Sequence, residues 1–454
     1  VTPFRERIQT ALDDAGLRQS FRAAMDFLRR KKALASAQVD DWEALKSQGQ
    51  AIRQDVIAQL PELLEMLERN CRRNGIQVHW AEDADAANRL ILSLAQRHQA
   101  HTLVKGKSMA SEEIGLNHFL AEHGIACTET DMGEYIVQLA QETPSHIIMP
   151  AIHKTREDIA ELFAEKLHTR IDADDVDGLI GLGRKVLREQ FRHADMGLTG
   201  VNFAIASTGT LCLVENEGNG RFSSTVPRVH VALMGLEKVI PAPEHLPILL
   251  SLLTRSATGQ AVTTYVNLIS GPRRDERDGP EEVHLILLDN GRSRMYQHPQ
   301  LRETLACIRC GACMNHCPVY TRIGGHAYGS TYPGPIGQVV TPQIKGLAQA
   351  GELLDACSLN GACGEACPVG IDLPGLIRVL RQERQRLPGH RLAWQIWSLI
   401  MRQPVLYRLS AQILRRLKPY RLYDPSGWSK HRAFPRPSNQ SLSERMRTRS
   451  KGSH

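Results

Sequence analysis

The chain has 454 residues, 42% of them apolar and 23% charged, a composition that excludes a disordered polymer and predicts two or three globular domains. It contains no run of about 18 uncharged apolar residues, which excludes a spanning helix, and Val1-Thr-Pro-Phe-Arg-Glu-Arg runs into charged sequence with no signal-peptide core, so a cytoplasmic location is expected. The formal charge is +7, but residues 401–454 hold 13 Lys and Arg against two acids, so the basic character belongs to the tail.

Residues 1–75 read as an N-terminal helical region: Ile52, Val56, Leu60, Leu63, Leu67 and Cys71 recur at three- and four-residue steps on one face, and Gly75 ends the pattern. From 76 to 295, β-rich runs alternate with amphipathic stretches. The runs are Ile76–Trp80, Thr102–Val104, Ile125–Thr128, His146–Met149, Asn202–Ala206, His230–Met234, Tyr265–Ile269 and Val283–Leu288, and the alternation predicts an α/β sheet with helices on its faces.

A charged, Pro- and Gly-punctuated loop over 271–282 precedes the last strand, which places a boundary near 295. Residues 296–375 carry the clustered cysteines, and residues 376–454 comprise C-terminal helices and the basic tail. Trp394 and Trp397 share one helical face, and the arginine-flanked apolar faces of 391–402 and 405–417 suit packing on their own domain, a partner groove or peripheral membrane contact. The tail lacks a recognised nucleic-acid motif, so no nucleic acid partner is expected.

Seven of the ten cysteines fall between 307 and 367, while Cys71, Cys127 and Cys212 stand alone as ordinary buried residues. Cys307-Ile-Arg-Cys310-Gly-Ala-Cys313-Met-Asn-His-Cys317-Pro318 has the ferredoxin-type spacing C-x2-C-x2-C-x3-C-P, in which three thiolates wrap one cluster from a tight loop. Zinc is disfavoured, because zinc knuckles use separated pairs.

Cys357-Ser-Leu-Asn360-Gly-Ala-Cys363-Gly-Glu-Ala-Cys367-Pro368 repeats that frame with asparagine at the second ligand position. In two-cluster ferredoxins the fourth cysteine of each motif serves the other cluster. That crossing assigns Cys307, Cys310, Cys313 and Cys367 to one [4Fe-4S] cluster, leaving Cys317, Cys357 and Cys363 for a second. Three thiolates suit a [3Fe-4S] cluster; a [4Fe-4S] cluster with Asn360, water or a partner residue on the fourth iron is the alternative. The C-x5-C-x3-C-P spacing also resembles the three-iron motif of succinate dehydrogenase and fumarate reductase iron–sulfur subunits. A neutral amide is a weak iron ligand beside thiolate, so Asn360 reads as a non-ligand.

Other motifs are weaker. Gly106-Lys107-Ser108 ends like a phosphate-binding loop, but His101 replaces its first glycine, which excludes nucleotide hydrolysis. Lys105, Lys107 and Ser108 could still hold an anion at a helix start, although capping explains Ser108 equally well. Gly181 and Gly183 lie in a helical pattern and read as packing. Ser207–Thr210 and Glu215–Ser224 bracket a strand with polar turns that suit ligand binding or plain turn structure. His153-Lys154-Thr155-Arg156 caps a helix and offers positive groups to an anionic substrate.

The order of parts, with Gly200-Val-Asn-Phe-Ala-Ile-Ala-Ser-Thr-Gly-Thr210, Asn216-Glu-Gly-Asn-Gly-Arg221, Cys307 to Pro318, Gly324-Gly-His326 and Tyr332-Pro-Gly-Pro-Ile-Gly337, resembles the lactate-utilisation protein B family from about residue 50 to about 400. The resemblance implies a LUD-type α/β domain of the sugar-phosphate isomerase and CoA-transferase-like fold, followed by an α-helical two-cluster ferredoxin-type domain. It also implies electron transfer in the oxidation of L-lactate to pyruvate, alongside a second iron–sulfur protein and a smaller LUD-type protein. Family members usually carry cysteine where Asn360 stands and often serine where Cys357 stands, so one thiol has shifted position. An enzyme whose α/β domain itself oxidises a 2-hydroxy acid such as lactate or glycolate is the competing expectation; a cluster-bearing DNA-binding sensor is a third.

Overall fold

A computed structural model describes residues 2–275, 278–385 and 391–417, together with 438, 440, 445 and 446. Four helices open the chain: α1 (Phe4–Asp13), α2 (Ala15–Ser36), α3 (Trp42–Ala58) and α4 (Leu60–Arg73). Asp14 and Asp41 cap α2 and α3 by accepting from the Leu17 and Ala44 amides, which satisfies donors that a helix start leaves open. The stripe expected on α4 is buried from Leu60 to Cys71.

Ten strands follow: β1 (Gln77–Ala81), β2 (Thr102–Lys105), β3 (Ala126–Glu129), β4 (Met196–Gly200), β5 (Phe203–Ile205), β6 (Thr210–Glu215), β7 (Val229–Gly235), β8 (Val239–Ile240), β9 (Tyr265–Ile269) and β10 (Glu282–Leu288). Six form a parallel sheet in the order β1-β10-β7-β4-β2-β3. The others form a smaller mixed sheet, β8-β5-β6-β9. Every residue of β7 is buried, as a parallel strand covered on both faces requires.

Two departures from the sequence reading have physical causes. β4 escaped because it carries two glycines; a Cβ on Gly197 would stand 1.8 Å from the Ser223 carbonyl oxygen, so the close approach of helix Asn219–Thr225 demands glycine there. His146–Met149 is a loop, not a strand. The His146 Nδ1 accepts from the Ile148 and Met149 amides at 3.0 and 3.2 Å, and its Nε2 meets Asn315 Oδ1 at 2.9 Å. His146 and Ile147 are buried and Ile148 packs on the same core as the cysteine loops, and periodicity alone cannot tell such a loop from a strand.

Val1–Arg381 form one compact unit and Gln382–His454 a second. In the first, a continuous core runs from Phe4, Phe21 and Met25 through Val239 and Leu252 to Tyr320, Val339 and Leu380. The cysteine segment is therefore packed into the same core as the N-terminal helices and the α/β sheet. In the second, helix Arg391–Arg402 sets Trp394 and Trp397 edge to face at 5.7 Å, and both are about half exposed.

Candidate functional site

The cysteine pseudo-repeat is also a repeat of backbone shape, offset by 50 residues. Each half has a 3-10 turn (Leu301–Ala306 and Gly351–Ala356), a cysteine, a residue in the left-handed region and a left-handed glycine. A one-turn helix follows, Ala312–Asn315 in the first half and Ala362–Glu365 in the second. Arg309 and Leu359 have φ of 60° and 56°, Gly311 and Gly361 of 76° and 88°. The Arg309 and Leu359 amides point at the sulfurs of Cys307 and Cys357 at 3.4 and 3.3 Å. Asn360 therefore occupies the backbone position of Cys310, and it is exposed.

The thiols gather as two sets. Cys307, Cys310, Cys313 and Cys367 line one small cavity walled by Ile147, Ile308, Ile336, Val369 and Leu373. Burial pushes the Cys310 thiol up to about 12, helped by Cys367 and Cys307, and holds Cys313 well above the ordinary range with the same neighbours. In the second set burial raises Cys363 to about 12, reinforced by Cys317 and Cys357, and Cys317 is raised by burial and by Cys357. Cys357 is only half-buried. Thiols held protonated in crowded, apolar surroundings are the donor set of a soft metal centre, since binding metal is what removes the proton. Both sets fit iron–sulfur ligation.

Positive charge surrounds the first set. Lys32 of α2 donates to the Ala366 carbonyl at 2.5 Å. Arg53 of α3, fully buried, donates to the carbonyls of Glu237, Leu305, Ala306 and Val239. Arg309 pairs with Glu237 at 3.2 Å and lies 4.7 Å above the Tyr332 ring. Arg292 bridges Glu237 and Glu113 at 2.5 and 2.8 Å, and the Tyr332 hydroxyl donates to Glu113 at 2.6 Å. Lys238 makes no hydrogen bond or close ion pair among the described residues; burial and then Arg309 lower it to about 8, against the pull of Glu237 and Cys307. No sequence pattern exposed this network; Arg309 between two cysteines was its only signal.

A cluster held by Cys307 would be favoured in its reduced, more negative form by positive charge on Lys238. The Lys238→Met variant is expected to shift the potential of the cluster at Cys307 downward by roughly 60 mV, a tenfold change for one electron, without altering iron content. Redox-titrated EPR reads this directly, and an unchanged potential would show that Lys238 does not act on the cluster.

A cavity of about 480 Å³ adjoins this network at the carboxyl edge of the parallel sheet, where open α/β sheets bind ligands. Lys107, Asn202, Glu215, Lys238 and Arg309 line it, and Arg309 and Ile147 also line the cysteine cavity. Several sequence expectations sort here. Lys107 and Ser108 reach the cavity, and Ser108 also caps helix Met109–Glu113. Lys105 does not: it is fully buried against Ser111, Glu112 and Glu129 at 2.6–2.9 Å, which leaves it no charge to offer an anion.

Glu215, Asn216, Glu217 and Asn219 line the cavity, whereas the Ser207–Thr210 turn is held by Asn70 and Asn74 of α4 and its neighbour. The His153–Arg156 stretch faces its own surroundings: His153 and Lys154 meet Glu142, and Arg156 pairs with Asp174. Thr155 completes a capping box there, as expected. Gly183 packs on Met132 within helix Val176–His193.

A parallel α/β domain followed by a cysteine-rich segment with ferredoxin ligand spacing defines an iron–sulfur protein built on a LUD domain. The family profiles agree: the LUD domain matches residues 64–288, the 4Fe-4S dicluster domain 303–371, and the C-terminal part of lactate utilisation protein B 375–451. The lactate utilization protein B of Bacillus velezensis is 41% identical over 416 residues, covering 90% of this chain and 87% of that one. Those of Bacillus thuringiensis and Bacillus anthracis are 39% identical over 463 residues, covering 99% of this chain and 98% of theirs. The crystal structure of a duf162 family protein from Deinococcus radiodurans is similar over 50% of this chain and 98% of that one, at 14% identity and a TM-score of 0.29. The chain belongs to the lactate utilisation protein B family.

Proposed function

We propose that this chain is the iron–sulfur electron-transfer subunit of a system that oxidises L-lactate to pyruvate. The observation that carries this reading is the gathering of seven cysteines into two sets inside one core. Cys307, Cys310, Cys313 and Cys367 would hold a [4Fe-4S] cluster; Cys317, Cys357 and Cys363 would hold a [3Fe-4S] cluster, or a [4Fe-4S] cluster with a non-cysteine ligand. Such groups accept and release single electrons. The chain supplies amide donors to the sulfurs, a dry setting and positive charge, which together set where an electron rests.

The half-buried Cys357 and exposed Asn360 support the second set as the exit towards a partner subunit. A second iron–sulfur protein and a smaller LUD-type protein are the partners this reading takes from the family. No helix among the described residues is long and apolar enough to cross a membrane. The exposed Leu392, Trp394, Trp397 and Leu399 support peripheral contact with a membrane or a partner from a cytoplasmic location.

The test is EPR with iron and sulfide analysis on anaerobically purified protein, wild type against Asn360→Cys. A three-iron signal at about seven irons per chain, converted towards about eight by the substitution, is the expected result. About eight irons in wild type, with no three-iron signal after mild oxidation, would refute the three-iron assignment; no iron after reconstitution would refute electron transfer.

A second reading has its own support: the cavity at the sheet edge shares Arg309 and Ile147 with the cysteine cavity. A 2-hydroxy acid bound there would stand beside the electron acceptor. Bleaching of the isolated protein by lactate or glycolate, without partners, would establish that the α/β domain itself oxidises substrate.

A further inference from the structure

The geometry points to a zinc site formed by His98, Glu282 and His284 on the α/β domain, at the opposite end of β10 from the cysteines and the cavity. Glu282 and His284 are two apart on β10, so both face the same side of the sheet. His98 ends helix Ala84–Arg97, which follows β1. Its Nε2 lies 3.6 Å from Glu282 Oε2, and the His284 Nε2 lies 3.3 Å from the same oxygen. The three ligand atoms all fall within 4.8 Å of one another. Zinc bonds to imidazole and carboxylate of about 2.0–2.1 Å put tetrahedral ligands roughly 3.3 Å apart, so both histidines already stand near coordination spacing from the carboxylate.

The hydrogen-bond account is incomplete without an ion. Both Nε2 atoms are buried and neither makes a well-aligned hydrogen bond among the described residues, Glu282 Oε2 being the nearest polar atom to each, and the His284 side chain is wholly inaccessible. Leaving two such atoms unpaired side by side is costly, and one cation satisfies both. The surroundings also prepare the ligands. His284 Nδ1 lies 3.1 Å from His79 Nε2; a proton on that Nδ1, donated to His79, leaves the Nε2 lone pair free, the arrangement that metal-binding histidines use. Gln77 donates to Glu282 Oε2 at 3.1 Å and orients the carboxylate. Two imidazoles and a carboxylate are a ligand set that zinc uses.

A second histidine group, His153 and His326 with Glu142, differs on these points. His153 already bonds Ser145 and Glu142, His326 bonds the Thr143 carbonyl, and Lys154 neutralises the carboxylate. At His98, Glu282 and His284 the ion would tie the end of a helix to β10, next to the edge strand β1, a structural role independent of electron transfer.

The test uses the anaerobic, cluster-loaded protein with zinc alone as the probe. Wild type is expected to retain about one zinc per chain beyond its iron, with a zinc-edge absorption spectrum showing nitrogen and oxygen at about 2.0 Å and no sulfur at about 2.3 Å. His98→Ala and Glu282→Gln, both at partly exposed positions, are each expected to weaken zinc binding at least about tenfold while iron content and cluster EPR stay unchanged. Absence of retained zinc at micromolar concentration, sulfur in the zinc shell, or wild-type affinity in both variants would overturn the site.

Discussion

Replacing Cys367 with alanine is expected to destroy the cluster of the first repeat, although Cys367 belongs by sequence to the second. Its side chain lines the same cavity as Cys307, Cys310 and Cys313, and burial and Cys307 both raise its thiol. The variant should lose about four irons per chain and the four-iron signal, while the signal of the second set persists. Cys317→Ala should do the reverse. Its sulfur takes the Tyr320 amide at 3.4 Å and shares its surroundings with Cys357 and Cys363. Iron analysis and EPR of the two variants decide the matter. If Cys367→Ala spared the four-iron signal and removed the other, each repeat would hold its own cluster and the crossing would be wrong.

The second large effect is expected at Glu237. This carboxylate is fully buried between Arg292 at 2.5 Å and Arg309 at 3.2 Å, and its main-chain oxygen takes Arg53 at 2.6 Å. Glu237→Gln keeps the shape but takes from Arg309 its carboxylate partner and leaves Arg292 with Glu113 alone. Breaking a buried pair in this way costs about 3–5 kcal/mol, read as a lower denaturant midpoint with an unchanged slope. A loss below about 1 kcal/mol would mean that solvent or a nearby anion already screens the network.

The pH dependence has a definite sign. Burial alone would raise the Glu237 carboxyl, but Arg292 and Arg309 outweigh it and hold it at about 2. The unfolded value is about 4.3, so the group's stabilisation is fully present above that pH and is lost as pH falls towards about 2. The gap between wild type and Glu237→Gln should therefore narrow on acidification below about pH 4.

The path from Glu237 to the cysteine loop explains why so little of this network was legible beforehand. Glu113, Glu237, Arg292, Arg309 and Tyr332 come from five separate stretches of chain and meet only when β7 and β10 pair and the cysteine segment packs on them. Lys105 shows the same limit in reverse: beside Lys107 in sequence it looks like an anion ligand, but alternation along β2 turns it inward to Glu129 on β3. His146 likewise reads as part of a strand until its ring is seen bonding its own loop amides.

What the sequence by itself determined is whatever short-range chemistry controls. Ligand spacing in the cysteine motifs is such a case, because a few residues of tight loop set which sulfurs can share a metal. Helical and strand periodicity is another, because each element's buried face repeats at its own pitch. The frame that sets Asn360 opposite Cys310 was visible too, and left-handed backbone recurs on either side of both positions, at Arg309 and Leu359 and at Gly311 and Gly361. What only the tertiary structure decided is the company those elements keep. One core joins the N-terminal helices, the sheet and the cysteine segment; a cavity shares its wall with the cysteines; and His98 stands against Glu282 and His284. Those relations depend on long-range packing, in which residues far apart in the chain become neighbours by burying apolar surface, and no local pattern records that outcome.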